Sequence, residues 1–266
     1  MRTFKTANGA LCVSILCFLV LPIFAVVPLS FSSGTFVSYP LPGVSLRWYS
    51  EVFGSTKWLS AFGNSIYIGL ISTLISVVLG VLTALGLAGQ RWWWASVIKS
   101  LMLAPMIFPI ILIAVAIYYF FARIGLVNTF TGMILAHAVI SIPFVIIPVL
   151  TSLEQLDKNL LRAAASCGAT PAVAFLKVTV PSIAPAVASG ALFAFGQSFD
   201  DVVIALFIAG PNQRTLPREM FSGIREAITP ELTAVATLLI IFTTLLFVIV
   251  QNLQRSRREQ LRRLSF

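Results

Sequence analysis

Two carboxylates, Asp200 and Asp201, and one amide, Gln197, interrupt a long apolar run of this chain at spacings i, i+3 and i+4. On a helix that spacing gathers all three on one face, together with Phe193 and Ile204. A charged side chain at bilayer depth costs roughly 2.5 kcal/mol or more, so two adjacent acids there require a wet cavity or a cationic partner. The chemistry such a face supports is the attraction and release of a cation, an ammonium-bearing solute in particular. A competing reading places Asp200 and Asp201 at the outer end of their helix, where water simply solvates them.

A second chemistry-bearing stretch, Asp157 to Pro185, is polar and helix-forming between apolar neighbours. Asp157 suits a helix cap, Gly168 a helix end, and Thr170 with Pro171 the start of another helix. Leu160, Leu161, Ala164 and Ala165 make a small apolar face. The run Ala163 to Ala165 is small enough to let another protein's surface come close, and Lys158 and Arg162 share a polar side. Phe175, Val178 and Val180 are expected to pack the second helix back against its neighbours, with Pro181 and Pro185 marking re-entry. On composition alone, an ordinary interfacial hairpin fits the same stretch.

The elements that position these residues follow from composition. The chain has 266 residues, 58% hydrophobic and 10% charged, with a mean hydropathy of +0.97. A soluble domain carries about 25% charged residues, so this chain cannot cover a water-facing globule. It reads as a polytopic, all-α integral membrane protein forming a single domain over residues 1–266, with little length left for a soluble enzyme domain. The net charge of +9 is not a nucleic-acid surface, because the basic residues flank the apolar runs and cluster at Arg255, Arg257, Arg258, Arg262 and Arg263. Cys12, Cys17 and Cys167 lack metal-ligand spacing and cannot all pair, so they read as small apolar fillers.

Six transmembrane helices of roughly 20 residues each fit the thickness of a bilayer. They are expected at Leu11–Phe31 (uncleaved, kinked by Pro22 and Pro28), Ala61–Ala88, Val97–Phe121, Phe130–Leu153, Pro185–Gly210 and Leu232–Leu253. Ser32 to Ser60 is expected to be a polar loop. Of the 18 Lys and Arg residues, twelve share a side with both termini and the polar insert: Arg2, Lys5, Arg91, Lys99, Lys158, Arg162, Lys177 and the five C-terminal arginines. Six (Arg47, Lys57, Arg123, Arg214, Arg218 and Arg225) lie on the other side. The positive-inside rule then places both termini and the insert in the cytoplasm. On the outward loop, Arg214, Arg218, Glu219, Arg225 and Glu226 read mostly as a solvated face.

Arg162-Ala163-Ala164, three residues, Gly168, and then Val178-Thr179-Val180-Pro181 resemble the EAA loop of permease subunits of type I ABC importers. That pattern is E-A-A-x-x-x-G followed by a hydrophobic-Leu-Pro ending, placed between two spans of a six-span chain. The resemblance implies an inner-membrane permease with a cytoplasmic coupling loop over residues 154–181, in which Leu160, Leu161, Arg162, Ala163, Ala164, Gly168, Thr170 and Pro171 meet an ATPase. It implies as partners a second permease subunit, two copies of a cytoplasmic ATPase and a periplasmic or extracellular substrate-binding protein. ATP and Mg would be held by the ATPase, leaving this chain without a cofactor or metal of its own and without catalysis. Here Arg162 stands where the family has Glu, so the partner's groove is expected to differ, with an acidic group facing Arg162.

The phrase from Ser198 to Pro211, SFDDVVIALFIAGP, also resembles the polyamine branch of these permeases, whose solutes include putrescine and spermidine. The substrate pathway then takes in Gln197, Asp200 and Asp201, and other amines, opines or aminophosphonates are the alternative solutes. An ATP-independent secondary transporter would show inverted repeats, and none is evident. A non-transporting membrane scaffold would need no polar residues along a pore. Trp92 to Trp94 read as an interfacial anchor, and His137 as a packed or locally hydrogen-bonded residue. No phosphate-binding loop of the G-x-x-x-x-G-K-[ST] form occurs.

Overall fold

The computed structural model describes the backbone of residues 2–90, 92–226 and 228–263, and the side chains of these except 2–8, 10, 226, 250 and 253–263. Arg91 and the side chains of Arg2, Lys5 and the five C-terminal arginines, which enter the charge count above, lie outside the described residues. The described chain is helical, in keeping with a bilayer, where backbone polar groups must be satisfied within each spanning segment. Five helices are long and apolar enough to cross a membrane, and a bent pair of shorter ones makes up to six.

In order these are α1 (Arg2–Leu29), a short α2 (Arg47–Gly54), α3 (Thr56–Leu87), α4 (Trp93–Ile107), α5 (Ile110–Arg123), α6 (Phe130–Glu154) and α7 (Lys158–Ser166). Then come α8 (Pro171–Ala174), α9 (Val180–Phe199), α10 (Val203–Ile208), α11 (Leu216–Glu226) and α12 (Pro230–Arg263). Packing divides the chain into two compact units, residues 1–59 with 219–245, and residues 60–218 with 246–266.

In the first unit, the stretch expected to be a plain loop contains α2. Trp48 on α2 is buried and donates from Nε1 to the Ser32 carbonyl at 2.8 Å. Tyr49 OH and Ser30 Oγ lie 2.6 Å apart. The outward-loop residue Glu219, expected on a solvated face, is instead buried and paired with Lys57.

In the second unit, α6 is the central element: 61% of its apolar window is buried, against 33% or less in the other spans. Its partner is α9, and glycines set how closely the backbones approach. A Cβ on Gly190 would lie 3.0 Å from Val145 Cα, and one on Gly80 of α3 would lie 2.8 Å from Val145 Cβ. Lipid gives helices no hydrophobic reason to associate, so such close van der Waals fits hold the bundle together.

Two expected spans are broken. The third bends by 105° between α4 and α5. Pro109 disfavours helical backbone at the residue before it, and Phe108 is extended at φ −77°, ψ 144°. The fifth was expected to run to Gly210, but α9 stops at Phe199 and a separate α10 begins at Val203. Hydropathy carries on through the break; the Asp201 side chain makes it, as described below. Gly190→Ala is expected to destabilise the purified protein by about 1–3 kcal/mol through overpacking, read as a lowered melting temperature. Gly196→Ala, where an added Cβ meets nothing within 4 Å, leaves the melting temperature unchanged or raised.

Candidate functional site

The polar insert folds as its punctuation suggests. Asp157 caps α7, its Oδ1 accepting from Asn159 N at 2.9 Å. Gly168 takes φ +81°, the left-handed conformation that glycine adopts without steric cost. Thr170 Oγ1 accepts from Val173 N at 3.4 Å, and Pro171 opens α8. None of the residues of α7 is buried. Leu160, Arg162 and Ala163 are exposed, and Leu161 and Ala164 half-buried. Arg162 Nη1 lies 3.4 Å from Asn159 Oδ1. A helix of this kind, capped at one end and turned by a glycine at the other, presents small side chains outward without a core of its own.

Beneath it lies a cavity of about 450 Å³, lined on α7 by Lys158 and Leu161, with Gln90, Glu154, Leu156 and Thr179 among the other walls. Lys99 Nζ, from α4, pairs with Glu154 Oε1 at 2.9 Å beside it. Between α8 and α9 the helix widens into one π-turn, Phe175–Thr179. Phe175, Val178 and Val180 were expected to pack inward, yet Phe175 and Val180 are exposed, and Ala174 with Thr179 are the buried pair. The reason is geometric: the i→i+5 turn of a π-helix brings residues five apart onto one face.

The acids of the fifth span do not share a helix face. Gln197 lies within α9, half-buried, whereas Asp200 follows its last residue and is exposed. Asp201 is only 5% exposed, so it is not a solvated helix end. Its Oδ2 accepts from Ile204 N at 2.9 Å and Ala205 N at 3.3 Å, capping α10. Aspartate competes with helical hydrogen bonding in this way, which favours caps over helix interiors. The two adjacent acids therefore sit in different surroundings, one buried and bonded to the backbone of α10 and the other exposed.

Behind Asp201 sits a buried polar knot. His137 of α6 places Nδ1 2.8 Å from Ser198 Oγ and 3.1 Å from the Ser198 carbonyl. Ser72 of α3 donates to Ser198 Oγ at 3.0 Å. Ser76 donates to the Ala138 carbonyl at 3.1 Å, and Ser141 to the Ala194 carbonyl at 3.2 Å. His137 Nε2 faces Asp201 Oδ2 at 3.8 Å. Hydrogen bonds of this kind tie α3, α6 and α9 together in the absence of a hydrophobic driving force. The sequence reading missed this group apart from His137; its one visible signal is Ser72 and Ser76, four apart in an apolar helix. Among the described residues no group of three or more His, Cys, Asp or Glu could hold a metal ion.

The profile of a family described as "binding-protein-dependent transport system inner membrane component" matches residues 76–260, a stretch that includes α7, the knot apart from Ser72, and the α9–α10 break. The chain belongs to this family. The permease is 28% identical over 253 residues to the spermidine/putrescine transport system permease protein PotC of Escherichia coli K12, covering 95% of this chain and 96% of that one. It is 33% identical over 230 residues to the putrescine transport system permease protein PotI of the same strain, covering 84% and 82%. It is also 30% identical over 217 residues to the sulfoquinovosyl glycerol transport system permease protein SmoH of Agrobacterium fabrum, covering 74% and 76%.

Among solved structures, a bacterial ABC transporter involved in import of the acidic polysaccharide alginate superposes with a TM-score of 0.71 at 20% identity, covering 94% of the permease and 96% of that chain. At that identity the likeness shows a shared fold. The permease is thus a multi-pass inner-membrane protein with the architecture of ABC importer permeases.

The split between the two acids predicts different mutant behaviour. Asp201→Ala leaves the α10 amides uncapped and lowers the stability of the purified permease by about 0.5–2 kcal/mol. Asp201→Asn, which keeps an acceptor oxygen, recovers most of that loss. Asp200→Ala stays within about 0.5 kcal/mol of the parent, as surface substitutions do. Thermal unfolding followed by tryptophan fluorescence measures all three.

Proposed function

We propose that this permease forms half of the translocation pathway of an ABC importer for a polyamine such as putrescine or spermidine. The observation that carries this reading is its likeness, over most of its length, to the spermidine/putrescine and putrescine permeases described above. The exposed Asp200 beside the α9–α10 break supports it, since a carboxylate at that point suits an alkylammonium solute. Gln197 contributes an amide to the same pathway, and Asp201 holds the turn that presents Asp200. The resemblance to a sulfoquinovosyl glycerol permease favours a second reading, a different solute carried by the same machinery.

In this reading the chain acts as one membrane domain and pairs with a second permease, two cytoplasmic ATPase subunits and a substrate-binding protein on the outer side. Both termini and α7 face the cytoplasm. ATP, with Mg, is bound and hydrolysed in the ATPase subunits, and this chain catalyses nothing. Leu160, Leu161, Arg162, Ala163 and Ala164 rest in the ATPase groove, while Gly168, Thr170 and Pro171 fix the turn that carries the motion into α9. Closure of the ATPases then shifts the pathway from inward-facing to outward-facing, a rigid-body switch transmitted through a surface helix. The exposure of Arg162 supports an acidic residue opposite it in the partner.

The test is substrate-stimulated ATP hydrolysis by the reconstituted complex, with its binding protein and a panel of amines and sugars. Putrescine or spermidine is expected to stimulate, and Asp200→Asn to lower uptake several-fold while the complex still assembles. Stimulation by sugars alone would assign the solute to the second reading. Ala163→Trp is expected to abolish co-purification of the ATPase. Arg162→Glu is expected to weaken it, with recovery when the facing acid is made basic.

A further inference from the structure

The pairing of Lys57 with Glu219 plays no part in the function proposed above. Glu219 lies on α11 and its side chain is 2% exposed, whereas Lys57, at the start of α3, is 49% exposed and places Nζ 3.0 Å from Glu219 Oε1. The same ammonium stands 5.2 Å from the centre of the Trp58 ring. Trp58 is buried, and its indole is held in place by Nε1 donating to Glu231 Oε1 at 2.6 Å. One primary ammonium thus sits between a carboxylate and the face of an indole, the two groups that attract alkylammonium ions most strongly at a protein surface.

The two partners are unequally committed. Glu219 has been taken out of water, and a buried carboxylate is costly without a cation near it. Lys57 carries a strongly hydrated charge on a flexible four-carbon stem and is half in solvent already. Rotating its side chain outward returns the ammonium to water, so the cost of its leaving falls on Glu219 rather than on Lys57. A cation in this pocket meets the Glu219 carboxylate beside that residue's other contacts, and nothing in the geometry requires that the cation be covalently attached.

We propose that Glu219 and the Trp58 ring form an alkylammonium site that Lys57 fills as a tethered, exchangeable occupant, and that a terminal ammonium of the transported amine displaces Lys57 during entry. The role in transport rests on the polyamine reading; the existence of the site does not. Lys57 and Trp58 open α3 and Glu231 opens α12, so with both termini in the cytoplasm the site faces the outer side, from which the amine arrives. A tethered competitor is present at an effective concentration in the millimolar range. It therefore keeps the site weak, so that a solute is admitted and let go rather than trapped.

The experiment is chemical rescue in the purified full complex. Lys57→Ala removes the tethered ammonium and lowers the melting temperature. Added n-butylammonium or putrescine is expected to restore several degrees, while NaCl at matched ionic strength does not. Neither amine moves the parent or the K57A/E219Q double variant to the same extent. No rescue, or rescue by NaCl equal to that by the amines, overturns the proposal. Should K57A not assemble, the neutral pair K57M/E219Q keeps the question decidable: its half-saturating putrescine concentration for ATPase stimulation is expected to rise several-fold, and an unchanged value overturns the proposal. Amine rescue of K57A in a complex that no amine stimulates would retain the site and remove the polyamine reading, so the two fail separately.

Discussion

A carboxylate withdrawn from water must find its hydrogen bonds inside the protein, and much of the second unit depends on where Asp201 finds them. Its oxygen accepts from two amides in the first turn of α10, those of Ile204 and Ala205. That choice ends α9 at Phe199, turns the chain, and sends α10 to pack with α5 and α6, where Ile204, Ala205 and Ile208 are fully buried. The same turn leaves Asp200 exposed. A single desolvated side chain thereby separates a structural acid from an available one, although the two are adjacent in sequence.

Around that turn the bundle is held by two kinds of contact. Glycine lets α6 and α9 approach within van der Waals range of each other's backbone. Ser72, His137 and Ser198 connect three helices through hydrogen bonds that have no competition from water. Each contact is modest, on the order of 0.6 kcal/mol for a hydrogen bond between membrane helices. Their concentration on α6 explains why this helix is the most enclosed of the spans.

Local chemistry was legible in the sequence, and tertiary choice was not. The limits of α7 could be read because Asp157, Gly168, Thr170 and Pro171 act on their own backbone within four residues. The first, second, fourth and sixth spans could be read because a run of apolar residues long enough to cross a bilayer has few other uses. The bend at Pro109 was visible only as a proline, which permits a kink or a full break; packing of α4 and α5 on different partners decides between them. The end of α9 was hidden because Val202 to Ala209 is as apolar as the helix before it. The partner of His137 was hidden for a different reason, since Ser198 lies 61 positions away and only the fold brings it near. Glu219 read as a surface charge because its neighbours in sequence are polar, while its burial comes from elements far along the chain.

The placement of α7 bears on which movements of the chain can reach it. Its ends are joined to different spans, through Leu156–Asp157 to α6 and through Gly168–Thr170 and the π-turn to α9. Along its length it rests on α8 and the π-turn and buries none of its own residues. Displacing α7 therefore strains two chain corners before it disturbs the packing between α6 and α9.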